Sequence, residues 1–422
     1  MIKRVLQQQK EELAGLLNRD YLERVDVVIK ADYLTTGLIK LITGPRRAGK
    51  SVIALQLLKG KNFAYLNFDD DQLLKSFDED AVVQTLNELY PGYQYLVLDE
   101  IQNLPGWELW VSKLYRRGVN LIVTGSNAKL LSREMATSLT GRYLQIPVYP
   151  FSFAEQLAFQ KAGKTDEEPL TPAQMGTMLN YLNTWLLNGG FPEVALNPSI
   201  LRNYLSTLFD SILLKDIIRR FRIRQSQQLY DLSNYLLANY TNLYSYSQLK
   251  LDQNFKSVAT VQKFVGYLAE PYLFVNLTRY DTKIKLQQKS NRKSYIIDNG
   301  FIQARSFELS PNYGRLLENA VFIELLRRNF QPELDLFYYR TRNDREIDFV
   351  CRNGHRVEEL IQVCYDISNP RTLKREIDSL VEASTELSCT DLLLITWDRE
   401  EVIQERGSAI RLVPAWKWLI YK

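Results

Sequence analysis

The run Leu38-Ile-Lys-Leu-Ile-Thr-Gly-Pro-Arg-Arg-Ala-Gly-Lys-Ser51 decides how the first third of the chain is read. A β-prone, largely apolar stretch leads into Gly-x-x-x-x-Gly-Lys-Ser, and a helical pattern follows from Val52 to Leu58. Strand, glycine-rich turn and helix, in that order, make a phosphate cradle. Gly44 and Gly49 let the backbone curl so that successive N–H groups point at one place. The following helix turns its positive end toward the same place. Gly44, Pro45, Arg46, Arg47, Ala48, Gly49, Lys50, Ser51 and Val52 are therefore candidate contacts for the phosphates of ATP. Lys50 would reach the β- and γ-phosphates, and Ser51 would ligate Mg²⁺.

A second stretch, Tyr95-Leu-Val-Leu-Asp-Glu100, reads as a buried strand ending in two acids. Following the glycine-rich turn, it matches a Walker B strand. Asp99 would share the Mg²⁺ with Ser51, and Glu100 would polarise the attacking water. A third run, Leu121-Ile-Val-Thr-Gly-Ser-Asn127, is again a buried strand with a small polar tip. In a P-loop fold with an extra strand it would lie beside the glycine-rich strand. Asn127 is then the first candidate to orient water or sense the γ-phosphate, with Thr124 and Ser126 as rivals. A second reading gives the same tip the task of capping a helix from Ala128. Arg142, in Thr140-Gly-Arg, is a candidate charge-stabilising finger or sensor, or else a surface ion pair.

Length and composition bound the rest. The 422 residues suggest roughly two to four domains. No run approaches the ~18 apolar residues of a membrane span, and the polar start Met1-Ile-Lys-Arg is not that of a signal peptide. Three cysteines, Cys351, Cys364 and Cys389, fit a reducing cytoplasm better than a disulfide framework. The one histidine, His355, argues against a zinc centre or a histidine-based triad. Net charge is only +4, but Lys215 to Lys293 holds 14 Lys/Arg against five Asp/Glu. Such a basic middle points to a polyanion partner.

In chain order, residues 1–150 read as an α/β P-loop ATPase core with strands at Leu38–Thr43, Asn62–Phe68, Tyr95–Leu98, Asn120–Thr124 and Tyr143–Val148. A helical stripe of Leu13, Leu16 and Leu17 precedes it. Residues 151–225 are helical and aromatic, a lid. Residues 226–305 read as a winged helix-turn-helix. Leu229–Tyr240 and Ser247–Leu251 precede a third helix over Ser257–Leu268, and strands at Phe274–Arg279 and Ser294–Asp298 flank a basic tip. Lys256, Lys263, Lys283, Lys285, Lys289, Arg292 and Lys293 are the candidate contacts to double-stranded DNA; the other reading makes them a solvated face on a protein-binding module. Residues 306–422 are α/β again. Glu318 on a helix, Asp348 in Arg345-Glu-Ile-Asp-Phe and Gln362 on the next strand have the spacing of a metal-dependent nuclease. Gln362 brings no charge, and Cys364 stands where such a centre needs a lysine, so the site reads as vestigial.

Taken together the motifs resemble the prokaryotic AAA+-type ATPases of the archaeal type, whose C-terminal domain of unknown function is related to PD-(D/E)xK nucleases. The resemblance rests on Gly44–Ser51, Leu98-Asp-Glu-Ile-Gln102, Thr124-Gly-Ser126, Leu139-Thr-Gly-Arg142, Pro150-Phe-Ser-Phe153, Gly189-Gly-Phe-Pro192 and Arg345-Glu-Ile-Asp-Phe349. It implies an additional-strand P-loop sheet, a helical lid, a winged helix and a restriction-endonuclease-like tail, with ATP and Mg²⁺ as cofactors. Many relatives carry Glu-x-Lys on the tail strand, from which Gln362-x-Cys364 departs. The expected activity is an ATPase coupling nucleotide state to DNA. The alternatives are an ATP-regulated nuclease and a nucleotide-dependent protein-interaction switch; the further candidate partners are a second copy that lends Arg142 to its neighbour, or another protein.

Overall fold

A computed structural model describes residues 2–24, 31–126, 139, 141–160, 170–305 and 310–421. The chain forms two compact units, Met1–Pro150 with Glu270–Tyr272, and Phe151–Ala269 with Leu273–Lys422.

The first unit is built on five parallel strands: β1 (Ile39–Thr43), β2 (Phe63–Asn67), β3 (Tyr95–Asp99), β4 (Asn120–Gly125) and β5 (Tyr143–Pro147), in the order β2-β3-β4-β1-β5. β4 lies between the glycine-rich strand β1 and the acidic strand β3, as the extra-strand reading requires. Every residue of β1 is buried, which follows from helices covering both faces of a parallel sheet. The covering helices carry their own start signals. Asp78 accepts from the Ala81 N–H and caps Glu79–Leu89, which buries Val82, Thr85 and Leu86. Helix Trp107–Arg116 buries Trp107, Trp110, Val111 and Leu114, spaced at three and four residues.

The N-terminal helix departs from expectation. It runs Ile2–Leu17 and buries Val5, Leu6, Gln9 and Leu13, while Leu17 is 50% exposed. Gln9 explains the shift. Its side-chain amide donates to the Asn67 carbonyl and its oxygen accepts from the Asn67 N–H, both at 3.0 Å, so the buried face is set by a tie to the end of β2.

The second unit contains two sheets. Helices Ser226–Ala238, Tyr246–Asp252 and Val258–Ala269 precede an antiparallel hairpin of β7 (Phe274–Thr278) and β8 (Arg292–Ile296). A short β6 (Leu243–Tyr244) joins them in the order β6-β8-β7. Ser257 accepts from the Thr260 N–H and so caps the third helix. The basic hairpin tip carries a helix, Ile284–Lys289. The second sheet runs β13-β14-β12-β11-β10-β9, from β9 (Leu336–Arg340), β10 (Glu346–Asn353), β11 (Arg356–Cys364), β12 (Leu392–Thr396), β13 (Glu401–Glu405) and β14 (Ser408–Pro414). Helices Tyr313–Arg327 and Pro370–Leu387 pack on it.

Gly189-Gly-Phe-Pro192 acquires a structural reason here. The Gly190 carbonyl accepts from the Phe151 N–H at 2.6 Å, and its N–H donates to Asp298 at 2.7 Å. A Cβ on Gly190 would lie 2.1 Å from the Phe151 carbonyl oxygen, and one on Gly189 1.8 Å from an Asp298 oxygen. Pro192 begins the next helix. Burial pushes the Asp298 carboxyl up to about 7, against the Gly190 and Gly300 N–H groups and the Arg327 charge, which favour its ionised form. Replacing Gly190 by alanine should therefore destabilise the second unit by about 3 kcal/mol, because backbone rather than a side-chain tip must move. Urea unfolding checks this; an unchanged midpoint would contradict the packing described.

Candidate nucleotide site

The glycine-rich turn leaves β1 at Thr43 and enters helix Lys50–Leu57 at Gly49, whose φ is +94°. The Gly49 position is left-handed and no side chain caps the helix, so its first N–H groups are presented to an incoming anion. Gly44 is held against β5: a Cβ there would meet the Val148 oxygen at 2.0 Å. Ala48 is fully buried, Pro45 is buried, Arg46, Gly49, Ser51 and Val52 are half-buried, and Arg47 is exposed at φ +65°.

Five side chains, from the helix Lys50–Leu57, the end of β3 and the end of β4, converge at this turn. Ser51 Oγ donates to Asp99 Oδ1 at 2.9 Å. Lys50, 4% exposed, reaches the Pro45 carbonyl at 3.2 Å and Glu100 Oε1 at 3.4 Å. Thr124, at the end of β4, donates to Asp99 and accepts from the Glu100 N–H at 3.1 Å. Parallel pairing of β1, β4 and β3 brings their C-terminal ends to one edge of the sheet, which is why residues about 50 and about 75 positions apart meet there.

The electrostatics separate the two acids. Burial pushes the Asp99 carboxyl up, helped by the neighbouring Glu100 charge and opposed by hydrogen bonds from Thr124, Tyr65 and Ser51. Burial acts on Glu100 in the same direction. There the Lys50 charge, the Gln102 hydrogen bond and the Arg46 charge prevail, and its pKa falls below the usual value. Glu100 sits at φ +52°, a left-handed conformation that turns it off the strand toward Lys50. The donor set suits a hard cation. A hydroxyl and a carboxylate already face each other at hydrogen-bond distance, and oxygen donors of this kind are what Mg²⁺ takes alongside nucleotide phosphates.

Three contributors were not read from the sequence. Arg24, 2% exposed, donates to the Ala48 carbonyl at 3.0 Å and the Tyr149 carbonyl at 2.8 Å, bracing the turn from outside. Tyr65 on β2 donates to Asp99 Oδ2 at 2.6 Å. Gln102 donates to Glu100 and lies 3.4 Å from Ser126 Oγ. Leu98-Asp-Glu-Ile-Gln102 held a signal for the last of these; nothing marked the other two.

Two candidates remain. Asn127 is outside the described residues. Arg142 immediately precedes β5, its carbonyl accepting from the Ile39 N–H at the start of β1, with its guanidinium 5.7 Å from the Tyr115 ring. The turn is at the other end of β1. Four strand steps, about 13 Å, separate the two. Parallel register puts Arg142 at the end of the sheet away from the turn of its own chain, which of the sequence alternatives disfavours a finger or sensor acting in cis.

In the second unit Lys256, Lys263, Lys283, Lys285 and Lys289 are exposed, and Arg292 stacks over Tyr246 at 4.6 Å. Lys293 corrects the sequence reading. It is 2% exposed and faces away from solvent into an acidic cluster, so it cannot touch DNA. Its ammonium lies 2.8 Å from Glu318, 2.7 Å from Glu346 and 3.1 Å from Asp348. Gln362 is buried beside Asp348 and accepts from its N–H at 3.2 Å. Glu318, Asp348 and Gln362 thus come together as the spacing suggested, around a lysine that was placed elsewhere.

The fold and site define a P-loop ATPase-type domain of the AAA class. A family model described as an AAA domain matches residues 36–157, and models of two domains of unknown function, DUF8612 and DUF4143, match 179–310 and 313–412. The chain is 33% identical over 426 residues to the uncharacterized protein MJ1544 of Methanocaldococcus jannaschii, covering 96% of this chain and 91% of the relative, and it belongs to that protein's family. It is also 33% identical over 349 residues to an uncharacterized protein of Haemophilus influenzae, covering 79% of this chain and 84% of that one. Among solved structures it is similar to the Walker-type ATPase paby2304 of Pyrococcus abyssi at 15% identity and a TM-score of 0.47, covering 68% of this chain and 96% of that one. No helix among the described residues is long and apolar enough to cross a membrane.

Proposed function

We propose that the first unit binds ATP with Mg²⁺ and hydrolyses it. The observation that carries this reading is the convergence of Ser51, Asp99, Lys50 and Glu100 on one glycine-rich turn. Ser51 and Asp99 would hold the ion, which, when bound, neutralises charge on the β- and γ-phosphates. Lys50 places a second positive charge against the same phosphates. Glu100, kept ionised by Lys50 and oriented by Gln102, accepts a hydrogen bond from the attacking water. Thr124 fixes the Asp99 carboxylate and the Glu100 backbone together, so the two acids keep their spacing. Catalysis here is positioning and charge neutralisation. Steady-state ATP turnover by wild type against the Glu100 variant discussed below tests it.

A second reading concerns residues 226–305. We propose that the three helices and hairpin are a winged helix and that it engages duplex DNA. The supporting observation is where the exposed lysines fall. Lys256 precedes the third helix and Lys263 lies on it; Lys283 occupies the N-cap of the hairpin-tip helix, which carries Lys285 and Lys289 and buries none of its residues. Phe221 stacks on Tyr267 at 3.9 Å and brings the exposed Arg222 to the same helix. Duplex binding should weaken steeply with salt. Neutralising Lys283, Lys285 and Lys289 together should flatten the log–log salt slope by roughly two to three units. Fluorescence anisotropy between 50 and 200 mM salt, a range of about fourfold, reads this. Affinity indifferent to salt would favour a protein-interaction module instead.

A further inference from the structure

The acidic cluster of the C-terminal sheet has the residue types of a divalent-metal centre, but its donors are already used. Each carboxylate meets the Lys293 ammonium and also has a second donor of its own. The Tyr295 hydroxyl donates to Glu318 at 2.8 Å, the Arg340 guanidinium to Glu346 at 3.3 Å, and the Val363 N–H to Asp348 at 3.0 Å. Gln362, the residue that would offer a carbonyl oxygen, spends it on the Asp348 N–H and gives its amide to Glu376 at 2.8 Å. Cys364 turns to the Asp366 carbonyl at 3.4 Å. The residues present do not fit a metal ion.

We infer that Lys293 replaces the metal: its ammonium is the resident cation of the Glu318–Glu346–Asp348 cluster and ties β8 to the C-terminal sheet in place of a catalytic ion. Three features support this. Lys293 comes from the hairpin segment, whereas the three acids come from helix Tyr313–Arg327 and β10, so the contact joins two stretches matched by different family models. Burial opposes the ammonium, but the surrounding Glu318, Tyr295, Asp348 and Glu346 raise its pKa well above the ordinary lysine value, so it stays charged. Removing this ammonium is costly, since Asp348 would then be left buried, and Glu318 half-buried, without its counter-charge. The consequence for function is that this sheet holds its neighbour and does not cleave phosphodiesters.

The experiment is a Mn²⁺ titration of the full chain followed by electron paramagnetic resonance, comparing wild type with Asp348→Asn, each with ATP present. The readout is the difference between the two proteins, which does not depend on whether the P-loop takes an ion. The inference predicts no difference. An additional Mn²⁺ bound by wild type and lost in Asp348→Asn would overturn it. Lys293→Ala supplies the positive arm. It should melt about 5 °C or more below wild type, and with the nucleotide site of both proteins already saturated by Mg²⁺ and ATP, added Mn²⁺ should raise its melting temperature further while leaving that of wild type unchanged. A Lys293→Ala protein that melts like wild type would also overturn the inference. If that variant does not fold, the Mn²⁺ difference decides alone.

Discussion

Glu100→Gln should leave ATP affinity within about threefold of wild type and lower the turnover rate by roughly 10²- to 10⁴-fold. The change keeps the side chain's size and one acceptor oxygen, which can still take the Gln102 amide, while the other oxygen, the one facing Lys50, becomes an NH₂. What it removes is the negative charge that draws a proton from the attacking water. Lys50 and Arg46 hold that charge in place against burial, so the wild-type acid is ionised at neutral pH and ready to act. Ground-state contacts to the phosphates would belong to the turn, to Lys50 and to the Ser51–Asp99 pair; the substitution leaves those side chains in place and removes only the Glu100 charge beside Lys50. Single-turnover hydrolysis together with equilibrium binding separates the two quantities. Unaltered hydrolysis would take the water-positioning role away from Glu100.

Lys50→Ala should act on the other quantity. An ammonium 4% exposed, with a carbonyl and a carboxylate as neighbours, is prepared for a further anion. Removing a charge-assisted hydrogen bond of this kind costs about 2–3 kcal/mol, or roughly 100-fold in affinity. Turnover falls with it, because the same charge faces the transferring phosphoryl group. The variant also strips Glu100 of the first charge opposing its burial, so the Glu100 carboxyl shifts upward and becomes a poorer acceptor at neutral pH.

What the sequence disclosed and what it hid follow one physical rule. The glycine-rich turn and the Asp99-Glu100 strand end were legible because each packs its chemistry into a contiguous stretch. The parallel order of β1, β4 and β3 was legible because buried runs alternate with amphipathic helices. Arg24 and Tyr65 were hidden. One reaches the Tyr149 carbonyl 125 positions away and the other reaches Asp99 34 positions away, and neither side chain has a local reason to be there. Lys293 was misread for a related reason. A charge count treats every lysine of a basic segment as solvated. Period-two placement puts Lys293 and Tyr295 on the same face of β8, and both meet Glu318. Which end of the sheet Arg142 occupies was not legible, because proximity in sequence to a strand does not say it; the pairing of Ile39 with Tyr143 does.

The most direct test of the central claim is a calorimetric titration of ATP with Mg²⁺ into wild type and into Lys50→Ala. One ATP bound per wild-type chain, and an isotherm weakened roughly 100-fold in the variant, is the predicted result. No saturable binding by wild type, or the same isotherm for both proteins, would contradict it.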